Sequence, residues 1–269
     1  VLLRAAAAVL VGAASVGGCG SPPAPGLVVF AASSLTFAFT EIGTAFRAAK
    51  SDTDSPNTDS PESDSPETDS AVAFSTVEFT FAGSADLLAQ LTGGAGADVF
   101  AAADTATMDK AARAGLIDGE PVFFAANTLT IVVAPGNPAK IAGIADLARP
   151  GLAVVACAPQ VPCGAATAKL QDATGVRLAP VSEESAAGAV LTKVTSGQAD
   201  AGIVYVTDAR AAGDAVTEVP VPEAPGVVNT YSIAVLKQAR DSGAARRFVE
   251  YVVGEAGQRI LEAAGFASP

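Results

Sequence analysis

Ser34 and Ser84 stand at the same kind of place in the chain: each ends a short apolar run and opens an amphipathic one. Leu27 to Phe30 reads as a strand that passes through two alanines into Ser33-Ser34-Leu35-Thr36, and Phe79-Thr-Phe-Ala-Gly-Ser84 leads into Ala85-Asp-Leu-Leu88. A serine at a strand-to-helix junction offers a hydroxyl beside the unpaired N–H groups of the first helical turn, where the positive end of the helix dipole favours an anion. Two such mouths facing one another would make a receptor for an oxyanion. Either serine alone is equally suited to capping its own helix, so the pairing carries the reading.

Other chemistry is bounded by what the sequence lacks. None of the 269 residues is histidine, which excludes Ser-His-Asp and Cys-His mechanisms and histidine-containing zinc sites. The signatures of serine-hydrolase elbows, P-loops and dinucleotide folds are absent as well. A hydrolase using Ser34 or Ser84 with a lysine base is the remaining enzymatic alternative, and no S-x-x-K occurs in the chain. The expectation is a binding protein rather than an enzyme.

The elements that must position the serines alternate between strand and helix. Leu35, Phe39, Ile42 and Phe46 fall on one face of a helix and read as core. Further strands are expected at 97–101, 129–133, 152–156, 202–205 and 232–236, with a helix near 107–114. Strands separated by helix-length connections imply parallel α/β sheets, whose ligands sit beyond the strand carboxyl ends.

A formal charge of −12 argues against a nucleic-acid partner, whose phosphates call for stripes of Lys and Arg. Seven of the acids lie within residues 51–70, and removing them leaves 21 acidic against 16 basic residues. Three Asp-Ser-Pro copies in that stretch, too polar to bury a core, read as a disordered surface insertion. Calcium binding there lacks the EF-hand spacing.

Arg4 followed by the apolar run Ala5 to Val16 reads as an export signal over residues 1–18, too short to span a membrane comfortably. Val16-Gly-Gly-Cys19 resembles a bacterial lipobox, so Cys19 is expected to carry lipid and residues 19–26 to form a tether. Cys157 and Cys163 remain as an even pair in an exported chain, which favours a disulfide. A redox dithiol would want C-x-x-C spacing.

The ordered segments Val29-Phe-Ala-Ala-Ser-Ser-Leu-Thr36, Phe81-Ala-Gly-Ser84, Gly96-Ala-Asp-Val-Phe-Ala-Ala-Ala-Asp104, Ala126 to Pro135, Pro159 to Gly164, Ser196 to Asp208 and Gly257 to Phe266 together resemble the ModA-type molybdate-binding proteins of bacterial ABC importers. That resemblance implies a two-lobed periplasmic-binding-protein type II fold, α/β in class, with a two-stranded hinge. Residues 27–125 and 230–269 would form lobe 1, and 126–229 lobe 2. The oxyanion would be held by Ser34, Ser84, the backbone N–H of Cys163, that of Ala187, and the Tyr205 phenol. Alanine is usual in the family where Cys163 stands, and a branched residue is often found at the position of Ala187.

The implied ligand is molybdate, or tungstate of nearly the same size and charge, with sulfate as the alternative. No cofactor is implied, and no metal except molybdenum within the bound anion. The implied partners are an ABC permease and its ATPase, with the protein a monomer held outside the cell membrane by its N-terminal lipid. A set made of donors suits a fully ionised tetrahedral dianion, each charge-assisted contact being worth roughly 1.5–3 kcal/mol. Asp86, two residues after Ser84, is the nearby carboxylate that could disturb such a set, and otherwise serves as a first-turn helix acid.

Overall fold

The computed structural model describes residues 26–53 and 76–269, with the side chains of 50–53 left out. The signal segment, Cys19, residues 20–25 of the tether and residues 54–70 of the acidic stretch lie outside the described residues. Among those described, no helix is long and apolar enough to cross a membrane.

Strand β1 (Leu27–Ala32) runs through a 3-10 turn at Ser33–Leu35 into helix α1 (Thr36–Thr53), followed by β2 (Val77–Ala82), α2 (Ser84–Thr92), β3 (Val99–Ala102), α3 (Thr105–Arg113) and the long β4 (Ile117–Asn127). Thr128 alone separates β4 from β5 (Leu129–Val133). Then come β6 (Val154–Cys157), α4 (Pro162–Thr174), β7 (Ser182–Glu184), α5 (Ala187–Thr195), β8 (Ala201–Tyr205), α6 (Val206–Ala212) and β9 (Thr217–Val219). The chain finishes with β10 (Asn229–Leu236), α7 (Ser242–Val253) and α8 (Glu255–Ala263).

These strands form two five-stranded sheets, ordered β2-β1-β3-β10-β4 and β7-β6-β8-β5-β9. In the first, β1 runs parallel to β2 and β3 while β10 is antiparallel to β3 and β4. In the second, β6 runs parallel to β7 and β8 while β5 is antiparallel to β8 and β9. The sheets are therefore mixed, where the sequence implied parallel ones. In each, the antiparallel fourth strand is the one that enters directly from the other sheet. The two crossing segments meet where Asn127 and Asn229 are register partners.

Three strands have no counterpart in the sequence reading, and all three are sheet edges. β4 carries Gly119 and Pro121, which break an apolar pattern yet are tolerated on an edge, and its pairing with β10 shifts register twice. β7 and β9 are three residues each, Ser-Glu-Glu and Thr-Glu-Val, too short and polar to signal a strand. Helix α1 continues through Thr53, three residues into the stretch read as an insertion. Weak helix formers can extend a helix already nucleated.

Leu35, Phe39 and Ile42 are fully buried, as their spacing predicts. With Phe124, Tyr231 and Phe248 they cover one face of the first sheet. Phe30, Leu87, Phe100 and Met108 cover the other. The second sheet has its own core of Leu129, Ile131, Val155, Leu170, Val190 and Ile203 among others. The segment after α8 returns to the crossing: Ala126 and Ala267 exchange two backbone hydrogen bonds, N–H to O at 2.7 and 2.9 Å, and the Phe266 ring meets Tyr231 edge-on at 5.3 Å.

Candidate functional site

The carboxyl ends of β1, β2, β6, β7 and β8 point toward one another, and the elements that follow them open on a shared small hollow, with about 10 Å³ of space for the centre of a water-sized sphere. Ser34, Ser84, Cys163, Ala187 and Tyr205 all line it. None of the described residues lining it carries a charge. Asp86 does not line it; it sits in the first turn of α2, as a helix acid would. The hollow has room for about one small compact group, far short of the roughly 300–1,000 Å³ usual for organic ligands.

Neither serine caps its helix. Gly83 is the N-cap of α2 with no side-chain cap bond, and the Ser84 hydroxyl instead accepts the Ala103 backbone N–H at 3.0 Å. The Ser34 hydroxyl lies 2.8 Å from the Tyr231 hydroxyl. The first turns of α4 and α5 bring Cys163 and Ala187, whose helix-start N–H groups belong to the set that a helix leaves without internal partners. Pro162, with no N–H to give, occupies the first position of α4.

Cys157 and Cys163 are joined by a disulfide, with Cα atoms 5.7 Å apart. It ties the end of β6 to the start of α4 and leaves the Cys163 backbone at the hollow. Gly164 next to it is required by contact: a Cβ there would lie 1.8 Å from the Ala158 carbonyl oxygen.

Tyr205, 2 % exposed, ends β8 and accepts from the Asn229 side-chain amide at 2.7 Å. Burial pushes its phenol well above the usual range, and the neighbouring Tyr231, Asp104 and Asp208 push the same way. Burial likewise raises Tyr231. Both phenols therefore remain protonated donors in the physiological range. Asp208 accepts the Tyr205 backbone N–H at 3.1 Å, and burial pushes its carboxyl up to about 7 against the lowering effect of that bond.

Sequence reasoning did not single out Ser33 or Ser185, which also line the hollow, nor the bonding roles of Asn127, Asn229 and Tyr231. Asn127 and Asn229 each follow two apolar residues and precede a threonine, and Tyr231 lies between Thr230 and Ser232, so no local pattern set them apart. Asn229 bridges the halves: besides Tyr205, its amide reaches the Ala103 carbonyl at 3.1 Å and the Pro162 carbonyl at 3.5 Å. Neither Ser34 nor Ser84 has a lysine among its hydrogen-bond partners, while the contacting Ser182 and Lys193 form a trio with Glu184 away from the hollow.

The model of the family described as bacterial extracellular solute-binding protein matches residues 27–267. The chain belongs to that family. The Molybdate-binding protein ModA of Mycobacterium tuberculosis is 52% identical over 243 residues, covering 90% of this chain and 85% of its own. The ModA of Escherichia coli K12 is 28% identical over 253 residues, covering 89% and 88%. Among solved structures, the periplasmic molybdate-binding protein of Azotobacter vinelandii superposes with a TM-score of 0.70 at 21% identity, covering 90% of this chain and 99% of that one. The sulfate-binding protein SubI of M. tuberculosis does so with 0.70 at 20%, covering 90% and 86%. Both structural likenesses bear on the fold: this member of the family has the two-sheet type II architecture. Its family consists of solute-binding proteins, and the ModA relatives are binders rather than enzymes.

Proposed function

We propose that this protein captures molybdate between its two halves, with tungstate as a near-equivalent ligand, and delivers it to an ABC permease and its ATPase outside the cytoplasm. Ser34, Ser84, Tyr205 and the N–H groups of Cys163 and Ala187 hold the anion. Residues 27–125 with 230–269 act as one lobe and 126–229 as the other, hinged at the paired Asn127 and Asn229. Cys19 anchors a monomeric protein through lipid, two acyl chains being needed for stable attachment.

One observation carries the ligand assignment. The wall of the hollow offers hydroxyls and helix-start N–H groups and no charged side chain. Such a wall compensates a small dianion by oriented dipoles, which act strongly in a site that excludes water. The 52% identity to a protein named molybdate-binding supports molybdate over sulfate.

Calorimetric titration of protein lacking residues 1–19 with molybdate, tungstate, sulfate and phosphate tests this. The expected result is tight binding of molybdate and tungstate with sulfate far weaker. Equal affinity for sulfate and molybdate, or no heat with molybdate, overturns it.

A further inference from the structure

We infer that Asn127, Asn229 and Tyr231 act as positioning residues that fix the direction of the hydroxyl hydrogens around the hollow, so that the cleft selects an oxyanion by its protonation state as well as by its charge. The inference rests on the oxyanion-binding reading of the hollow. None of the three lines the hollow itself.

The orientation of both amides is dictated by neighbours that can play one part only. Asn127 Oδ1 faces the Thr128 backbone N–H at 3.0 Å, a group that can only donate. Its Nδ2 must then face Thr207 Oγ1 at 2.7 Å and Tyr231 Oη at 3.5 Å. Asn229 Nδ2 faces the Ala103 carbonyl at 3.1 Å and the Pro162 carbonyl at 3.5 Å, both of which can only accept and share one of its hydrogens, so its other hydrogen goes to Tyr205 Oη at 2.7 Å.

From these ends the remaining hydrogens follow. The contact between Ser34 Oγ and Tyr231 Oη allows either as donor; the Asn127 amide hydrogen, facing Tyr231 Oη at 3.5 Å, disfavours a hydroxyl hydrogen on that side and so favours Tyr231 donating to Ser34. Ser34 must then turn its own hydrogen toward the hollow. Ser84 already accepts from Ala103 and turns its hydrogen the same way. Tyr205, its oxygen filled by Asn229, has a hydrogen to give and lies edge-on to Tyr231 at 5.9 Å between ring centroids. The hydroxyl hydrogens thus run inward from the hinge amides. A proton on the ligand would meet hydrogens, not lone pairs.

Asn127→Asp reverses one arm. A carboxylate at 127 can accept from Thr128 N–H, from the Thr207 hydroxyl and from Tyr231. Tyr231 then accepts from Ser34, and Ser34 presents a lone pair to the hollow. Molybdate and hydrogen arsenate, both tetrahedral dianions, differ in that only the second carries a proton, so calorimetric affinities for the two in each variant isolate the effect. In N127D the preference for molybdate should shrink by about tenfold or more. Tyr231→Phe keeps the ring packing but removes the hydroxyl, freeing Ser34, and should shrink the preference as well.

If N127D folds and binds yet keeps the wild-type ratio, the inference is overturned. Should N127D fail to fold, an unchanged ratio in Y231F overturns it instead. Absence of molybdate binding by the wild type would defeat the receptor reading itself, a separate result.

Discussion

Asp208 is the one carboxylate buried directly behind the Tyr205 backbone, and its raised pKa has a consequence for stability. Protonation is favoured in the fold, because burial lifts the group from 3.8 to about 7. Its contribution to stability is therefore complete below pH 3.8 and is lost as pH rises toward and through 7. Asp208→Asn keeps an acceptor for the Tyr205 N–H and cannot titrate. Comparing melting curves of the two proteins between pH 4 and 8 should show the wild type losing stability relative to D208N, by up to about 4 kcal/mol. Parallel curves would remove the charge from behind the tyrosine. At this scale the sequence exposed the residues that end strands and open helices, since Ser34, Ser84 and Tyr205 sit at those changes of pattern. It concealed the asparagines, whose amide nitrogens bond partners 24 to 126 positions away that no local periodicity records.

At the level of elements, the start of α2 meets the segment between β7 and α5 from the opposite half. An added Cβ on Gly83 would lie 2.2 Å from the Ser185 carbonyl oxygen. Gly83 itself has φ −59° and ψ 138°, a conformation open to any residue. Gly83→Ala should therefore leave the ligand-free protein as stable as the wild type, or more stable by about 0.4–1 kcal/mol. Its halves, however, could not approach this closely, and molybdate affinity should fall by about tenfold or more. Melting curves without ligand and calorimetry with it separate the two effects; loss of ligand-free stability, or full affinity, contradicts the closure reading. Strands with continuous apolar runs, such as β5 and β8, were legible because burial on both faces leaves no alternation to decipher. The edges β4, β7 and β9 were not, since an edge needs neither length nor apolarity to pair.

For the whole molecule, the two-sheet architecture was readable mainly through the ordered family segments; strand-helix alternation alone pointed to parallel sheets and missed the antiparallel strand that each sheet receives from the crossing. The formal charge of −12 stands against an anion receptor only at long range. Solvated carboxylates are screened over a Debye length of about 8 Å at physiological salt, whereas the donors proposed to hold the anion would touch it directly.

The strand order also dictates when each half can be completed. Every strand of the second sheet lies between residues 129 and 219, so that sheet is available in full once this stretch has left the ribosome. The first sheet waits for β10, made about a hundred residues after β4, to be slotted between β3 and β4. A fragment spanning 128–228 should accordingly fold by itself, giving dispersed amide resonances and a cooperative melt, while 26–127 alone should not. During synthesis the later-made half is thus finished before the earlier one, and the gap left in the first sheet keeps the anion trap unassembled until the chain is nearly whole.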